Sequence, residues 1–100
     1  YLGCFIDRES PHRLLSGENS RNLANPAMTN EMCEGICDGY AYFGTENGNE
    51  CFCSDTLPAE AAAQRKAPEN ECRMFCAGRM NSKSESCGGF WRIGVFRRDS

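Results

Sequence analysis

The chain has 100 residues, of which 40% are hydrophobic and 25% charged, and its formal net charge is −3. This length fits one domain, spanning residues 1–100 with a core over about 1–96. The acidic balance argues against a nucleic-acid partner, which needs a basic patch. We also expect no membrane contact, because no apolar run is long enough for a membrane-spanning helix.

The eight cysteines are an even number and indicate a disulfide scaffold in an oxidising compartment. Zinc binding is the alternative use for so many cysteines. However, no Cys-x2-Cys knuckle occurs, and the one histidine, His12, is not near a cysteine pair. We therefore expect an extracellular domain, secreted or exposed at the cell surface, without a metal or other cofactor.

The first half of the chain predicts a strand, a loop and a helix. The apolar run over residues 1–7 is typical of a strand, and the polar residues 8–27 predict a long surface loop. Thr29 is a suitable N-cap for a helix that Gly39 ends. The apolar stripe of this helix consists of Met32, Cys33, Ile36, Cys37 and Tyr40.

A hairpin follows the helix, with strands over residues 40–45 and 50–53 joined by the turn Asn47-Gly48. A two-residue turn pairs Gly44 with Cys51. This register places Tyr42 partly toward the disulfides. It also places Phe43 opposite Phe52 on the other face of the ribbon.

The second half predicts a connection, a helix and a strand. Residues 54–67 are polar and alanine-rich, with a helical turn over residues 59–66. Pro68 suits the first turn of a second short helix over residues 69–77. The chain then closes with a strand over residues 90–96.

The cysteine spacings suggest how the scaffold is bonded. Cys33 and Cys37 lie one helical turn apart, and Cys51 and Cys53 share a strand face roughly 6.6 Å apart. If the helix and the return strand are antiparallel, the bonds are nested, as Cys33–Cys53 and Cys37–Cys51. By elimination, the other four cysteines bond each other, with Cys72 and Cys76 pairing to Cys4 and Cys87 in an open order.

Five motifs along the chain match a known pattern. They are Tyr1-x-Gly3-Cys4-Phe5-x-Asp7, Arg13-x-Leu15, Met28-Thr29-x-Glu31-x-Cys33-x3-Cys37, Gly44-x-Glu46-x-Gly48-x-Glu50-Cys51-Phe52-Cys53 and Cys87-Gly88-Gly89-x2-Arg92-Ile93-x-Val95-Phe96. Together they resemble the WSC domain, over residues 1 to about 96. The chain departs from that family at Asn47, where an aromatic residue is common, and at Ser54, where glycine is usual.

The resemblance implies a small α+β fold similar to PAN/apple modules, with two short helices packed on an antiparallel sheet. WSC domains occur in fungal cell-wall stress sensors and as modules appended to secreted enzymes. The implied function is non-catalytic binding of cell-wall polysaccharide, such as β-1,3-glucan, xylan or a related β-linked glycan. A tandem WSC copy or an appended catalytic domain would then be a partner within the parent protein. The alternative is a protein-interaction or wall-stress-sensor ectodomain without its own affinity for sugar.

Sugar binding needs aromatic faces and planar polar groups. The candidate binding residues are Tyr42, Phe43, Glu46, Asn47, Asn49, Phe52, Phe90, Trp91 and Arg92. For Phe43 and Phe52 the rival role is core packing. For Trp91, alternation with Ile93 and Val95 predicts a buried strand face. As a binding residue it would instead lie at the start of the strand, where Gly88-Gly89 lets the chain turn outward. Glu46, Asn47 and Asn49 at the hairpin tip are expected to be exposed and able to face sugar hydroxyls, and their rival role is a solvated turn.

Catalysis is the third possibility. Glu46 and Glu50 flank the turn and imitate the paired carboxylates of a glycosidase. A small hairpin offers no deep cleft to raise the pKa of one of them. We therefore expect these residues to fix the turn and the domain not to be an enzyme.

Overall fold

The computed structural model describes residues 1–17, 19–79 and 85–98, so Glu18, residues 80–84 and residues 99–100 lie outside the described part. A five-stranded antiparallel sheet has the order β1-β5-β3-β4-β2. Its strands are β1 Gly3–Ile6, β2 Arg21–Ala24, β3 Tyr42–Glu46, β4 Glu50–Ser54 and β5 Arg92–Arg97. The helices are α1 Asn30–Ile36 and α2 Ala59–Gln64, with 3-10 turns at Glu69–Glu71 and Ala77–Arg79. The predicted α+β, disulfide-rich fold is confirmed. None of the helices in the described part is both long and apolar enough to cross a membrane.

The two faces of the sheet bury different residues. The face that we call the disulfide face presents Phe43, Cys51 and Cys53 to α1. The face that we call the loop face carries Phe52, Ile93 and Val95, which pack with Phe5 from β1. Segments from elsewhere in the chain cover part of the loop face, through Leu14, Leu15, Leu57, Ala61 and Ala62.

Helix α1 begins as predicted. The Thr29 hydroxyl accepts a hydrogen bond from the Met32 N–H at 3.0 Å, and Gly39 adopts a φ of +89° just beyond the helix. The nested disulfide order is wrong, however, because the bonds are Cys33–Cys51 and Cys37–Cys53. The chain turns back after α1 to enter β3 and reverses again into β4. Helix and return strand therefore run in the same direction, which pairs the cysteines in order.

The other two disulfides are Cys4–Cys72 and Cys76–Cys87. This agrees with the pairing expected by elimination and settles its order. The prediction of a second helix over residues 69–77 is wrong, because a 3-10 turn over Glu69–Glu71 forms there and no α-helix. Met74 instead donates its N–H to the Gly88 carbonyl at 2.9 Å and accepts from the Cys87 N–H at 2.8 Å. These long-range bonds hold the segment extended.

The hairpin register is shifted by one residue from the prediction. Thr45 pairs with Cys51 and Gly44 with Phe52, so three residues connect the strands instead of two. Residues outside the hairpin hold the turn: the Asn47 and Gly48 N–H groups donate to the carbonyls of Gly89 and Cys87 at 3.1 and 3.0 Å.

The shift moves side chains to the other face. Phe43 joins the cysteines on the disulfide face, whereas Phe52 lies on the loop face, so the two rings are not opposite each other. Tyr42 packs against the loop-face core and not near the disulfides.

The long loop predicted over residues 8–27 contains strand β2, which pairs with β4 along the edge of the sheet. Only Leu23 of this strand is partly buried, and its neighbours are exposed. The sequence therefore shows little of the apolar alternation that identifies a half-buried strand.

Candidate functional site

A hollow of ≈ 160 Å³ opens at one end of the loop face. We call it the Trp91 groove, and its lining residues are Arg13, Glu46, Asn47, Glu50, Phe90 and Trp91. A neighbouring hollow shares Arg13 and Glu50 with it and extends over Phe52 toward Asn22. A third hollow, beside His12, shares Trp91. Trp91 therefore stands between two open surfaces.

A tight turn presents Trp91. Gly89 and Arg92 exchange two backbone hydrogen bonds at 2.9 and 3.1 Å, so Phe90 and Trp91 form the tip between them. Trp91 adopts a φ of 56°, which is uncommon for a bulky residue. The strand predicted to begin at residue 90 therefore begins at Arg92. Trp91 does not share the buried face of Ile93 and Val95: its side chain is 38% exposed.

Arg13 lies between two aromatic rings and two acids. Its guanidinium carbon is 5.0 Å from the ring centre of Phe52 and 5.2 Å from that of Trp91. Its Nη1 atom is 3.1 Å from Asp7 Oδ2 and 3.6 Å from Glu46 Oε2. Arg13 is not among the binding residues predicted from the sequence. The motif Arg13-x-Leu15 was the available signal, since Leu15 is buried and anchors the loop.

Glu46 is buried at 1% exposure, so the expectation of an exposed residue at the hairpin tip is wrong. The pKa of Glu46 is raised to about 10, and burial of the carboxyl group is the largest cause. The hydrogen bond and charge of Asp7 act in the same direction, whereas the charge of Arg13 lowers the pKa. The raised pKa favours the protonated form of the Glu46 carboxyl, which is hydrogen-bonded to Asp7. Glu46 Oε1 has no hydrogen-bond partner among the described residues.

Four of the nine predicted binding residues line the Trp91 groove, and Phe52 lines the adjoining hollow. Those four are Glu46, Asn47, Phe90 and Trp91. The side chains of Asn47 and Phe90 are exposed, as expected for the rim of a binding site. Glu50, predicted only to fix the turn, also borders the groove.

The other candidates lie elsewhere. Phe43 stacks on Phe96 across the disulfide face, with ring centres 4.9 Å apart. Tyr42 is half-buried against the loop-face core. Asn49 is half-buried, and its carbonyl accepts the Asn25 N–H at 2.9 Å. Arg92 forms an ion pair with Glu71.

Among the described residues, there are two groups of side chains whose possible metal-ligating atoms lie close to one another within the group. Each group contains disulfide-bonded cysteines, namely Cys33, Cys37 and Cys51 in one and Cys76 and Cys87 with Glu85 in the other. Cysteine ligates a metal as the thiolate, and these sulfurs are bonded in disulfides. The proximity in both groups is explained by the scaffold.

The chain resembles proteins from fungi and animals. The WSC domain family model matches residues 1–89. A WSC domain-containing protein of Arthroderma benhamiae is 34% identical over 97 residues, which cover 97% of this chain and 12% of that protein. Xylosyltransferase oxt of Drosophila melanogaster is 39% identical over 97 residues, or 95% of this chain and 10% of that enzyme. A putative fungistatic metabolite of Chaetomium globosum is 32% identical over 99 residues, or 97% of this chain and 41% of that protein.

The chain thus spans about a tenth of the first two relatives and less than half of the third. In the xylosyltransferase, the matching segment accompanies a much larger remainder. The family model matches most of the chain. This chain belongs to the WSC domain family.

Proposed function

We propose that this domain is a non-catalytic, extracellular module that binds β-linked cell-wall polysaccharide in the Trp91 groove. The observation that carries the proposal is the exposed indole ring of Trp91 beside an amide and a carboxylate, from Asn47 and Glu50, in one hollow. Small-molecule sites commonly combine aromatic walls with a few polar groups. Four disulfides support the extracellular location.

The geometry suits a sugar ring. The Arg13 guanidinium lies over the indole, and the part of the ring that remains exposed is the surface on which a pyranose would stack its C–H face. The Glu50 carboxylate can accept hydroxyl hydrogen bonds, and the Asn47 amide can both donate and accept them. The hollows on either side of Trp91 give room for neighbouring units of a chain.

The same geometry favours binding over catalysis. Glycosidases need two carboxyl groups that reach the substrate. Here Glu46 is buried and held by Asp7 and Arg13, which leaves Glu50 as the accessible acid in the groove. The xylosyltransferase relatives, in which the matching segment covers about a tenth of the enzyme, fit an appended binding role. Their name makes xylan an informative ligand to test.

Retention of the domain on insoluble β-1,3-glucan, xylan and chitin tests the proposal. We expect retention on at least one of them and about a tenfold weaker affinity for Trp91→Ala, equivalent to about 1.4 kcal/mol. Phe75→Ala is the matched control, because Phe75 is also an exposed aromatic residue (49%) but does not line the groove. A tandem of two copies raises weak binding to a measurable level through avidity.

Equal retention of the Trp91→Ala variant and the wild type would place the site elsewhere. Failure of both single and tandem domains on every glycan would contradict the proposal. That result would favour the alternative, a protein-interaction ectodomain, for which the exposed apolar pair Met74 and Phe75 is the surface to examine.

A further inference from the structure

We infer that Arg13 is a positioning residue that fixes the indole ring of Trp91 in its binding orientation, with the buried carboxyl groups of Asp7 and Glu46 holding Arg13. The inference deepens the proposed function and rests on it for its effect on affinity. Its effect on the motion of Trp91 does not depend on any ligand.

The position of Trp91 makes the orientation of its ring dependent on neighbouring side chains. It lies at the tip of a turn, outside the strand, and its side chain is 38% exposed. Two groups have ring contacts with it among the described residues. The Phe90 ring is edge-on with its centre 6.4 Å away, and the Arg13 guanidinium lies over the indole at 5.2 Å. Since Phe90 is itself 72% exposed, Arg13 is the better-anchored of the two.

Arg13 is held from three sides. Phe52, which is buried in the loop-face core, lies 5.0 Å from the guanidinium. Asp7 and Glu46 approach its Nη1 atom to 3.1 and 3.6 Å. A flat guanidinium can lie against two rings while it donates in its own plane, which a lysine ammonium cannot do.

Asp7 links the anchor to the Trp91 backbone. Its N–H donates to the Trp91 carbonyl at 3.0 Å. Its carboxylate accepts from Arg13 and, at 2.9 Å, from the Leu14 N–H. Asp7, Arg13 and Trp91 thus form a closed ring of contacts that fixes both the backbone and the side chain of Trp91.

A ring fixed before binding loses less conformational entropy when a ligand stacks on it. Side chains that hold a binding group in place therefore raise affinity without touching the ligand. This is the role that we assign to Arg13, in addition to its place in the groove wall.

Trp91 is the only tryptophan in the chain, so intrinsic fluorescence reports on it alone. The test compares the wild type with Arg13→Lys, which keeps the positive charge beside the acids but removes the flat group. We expect faster loss of fluorescence anisotropy and about a twofold larger acrylamide quenching constant, at temperatures where the variant is folded. Affinity for the glycan should fall about fivefold.

Arg21→Lys is the matched control, because Arg21 is an exposed arginine on β2 that does not line the groove. Asp7→Asn is the second variant, in case Arg13→Lys does not fold. It keeps an oxygen for the Leu14 N–H, weakens the hold on Arg13 and should also increase quenching of Trp91.

Unchanged anisotropy and quenching in folded Arg13→Lys and Asp7→Asn would overturn the inference, whatever happens to their melting temperatures. If Trp91 becomes more mobile as expected but no glycan binds the wild type, the positioning role stands and the proposed function fails. If glycan binds through Trp91 and both variants leave its mobility unchanged, the function stands and the positioning role fails.

Discussion

The two faces of the sheet are stabilised by different means. On the disulfide face, two covalent bonds join α1 to β4, and Met28 and Phe43 fill the space around them. On the loop face, an aliphatic and aromatic core ends in a charged cluster of Arg13, Asp7 and Glu46 beneath the groove. Neighbouring residues of β3 face opposite sides of the sheet. Thr45 is opposite Cys51, whereas Glu46 faces the groove.

This difference suggests that the two faces have different roles. Disulfides stabilise a small domain without needing a large apolar core. A buried ion pair adds little net stability, because desolvation offsets its attraction. We therefore expect the disulfide face to determine the stability of the domain and the charged cluster to determine the geometry of the groove.

The largest expected effect comes from removing a disulfide. The double variant Cys33→Ala, Cys51→Ala opens a bond with a sequence separation of 18. In the chain-entropy model it should lower the free energy of unfolding by about 3 kcal/mol. Urea titration measures the loss. Trp91 emission in the folded state should be unchanged, and a red shift there would show that the two faces are not independent.

An intermediate effect is expected at Gly88, which precedes the turn that carries Trp91. Gly88 has a φ of +73°, and an added Cβ would lie 2.3 Å from the Thr45 carbonyl oxygen. Gly88→Ala should therefore lower the free energy of unfolding by about 2 kcal/mol and also disturb the groove.

Gly35→Ala is the control for this substitution. Gly35 lies inside α1, and an added Cβ there has no neighbour within 4 Å. Alanine should stabilise the helix by about 1 kcal/mol. If both alanine variants had the same stability, the contact at Gly88 would not have the importance assigned to it.

Over a single pH unit, a smaller effect than either of these losses is a pH dependence that arises on the loop face. Glu46 has a folded pKa of about 10 against an ordinary value of 4.5, so the folded state binds one more proton between these values. Its contribution is fully present below pH 4.5 and is lost as pH rises through that window.

Near neutral pH, this slope is at most about 1.4 kcal/mol per pH unit. Glu46→Gln, which mimics the protonated acid, should remove it. Denaturation curves at several pH values measure the slope, with the exposed Glu60→Gln as a control. Identical slopes for the wild type and Glu46→Gln would show that Glu46 is ionised in the fold.

Features determined by neighbouring residues were predictable from the sequence. The Thr29 cap, the helix stripe and the strand segments of the hairpin all depend on contacts within about ten residues, and the structure contains each of them. The bonding of Cys72 and Cys76 followed once the other four cysteines were assigned to the helix and the hairpin.

Features determined by distant residues were not predictable. The hairpin register depends on hydrogen bonds from Asn47 and Gly48 to residues 87–89. That one-residue shift decides that Phe43 lies away from the groove. In the candidate site, Gly88-Gly89 indicated that the chain could turn outward at Trp91, but the sequence left this alternative and a buried strand face equally open. The role of Arg13 arises because a polar loop folds back over β4 and β5, which its sequence does not indicate.

The assignment of the Trp91 groove as the glycan-binding site is tested most directly by titrating the wild-type domain with soluble β-1,3-gluco- and xylo-oligosaccharides while monitoring Trp91 fluorescence. We expect a saturable change in emission for at least one series, with a dissociation constant that matches calorimetry on the same sample. Calorimetric binding that leaves the emission and quenching of Trp91 unchanged would contradict the assignment, since a sugar stacked on the only tryptophan must alter its environment.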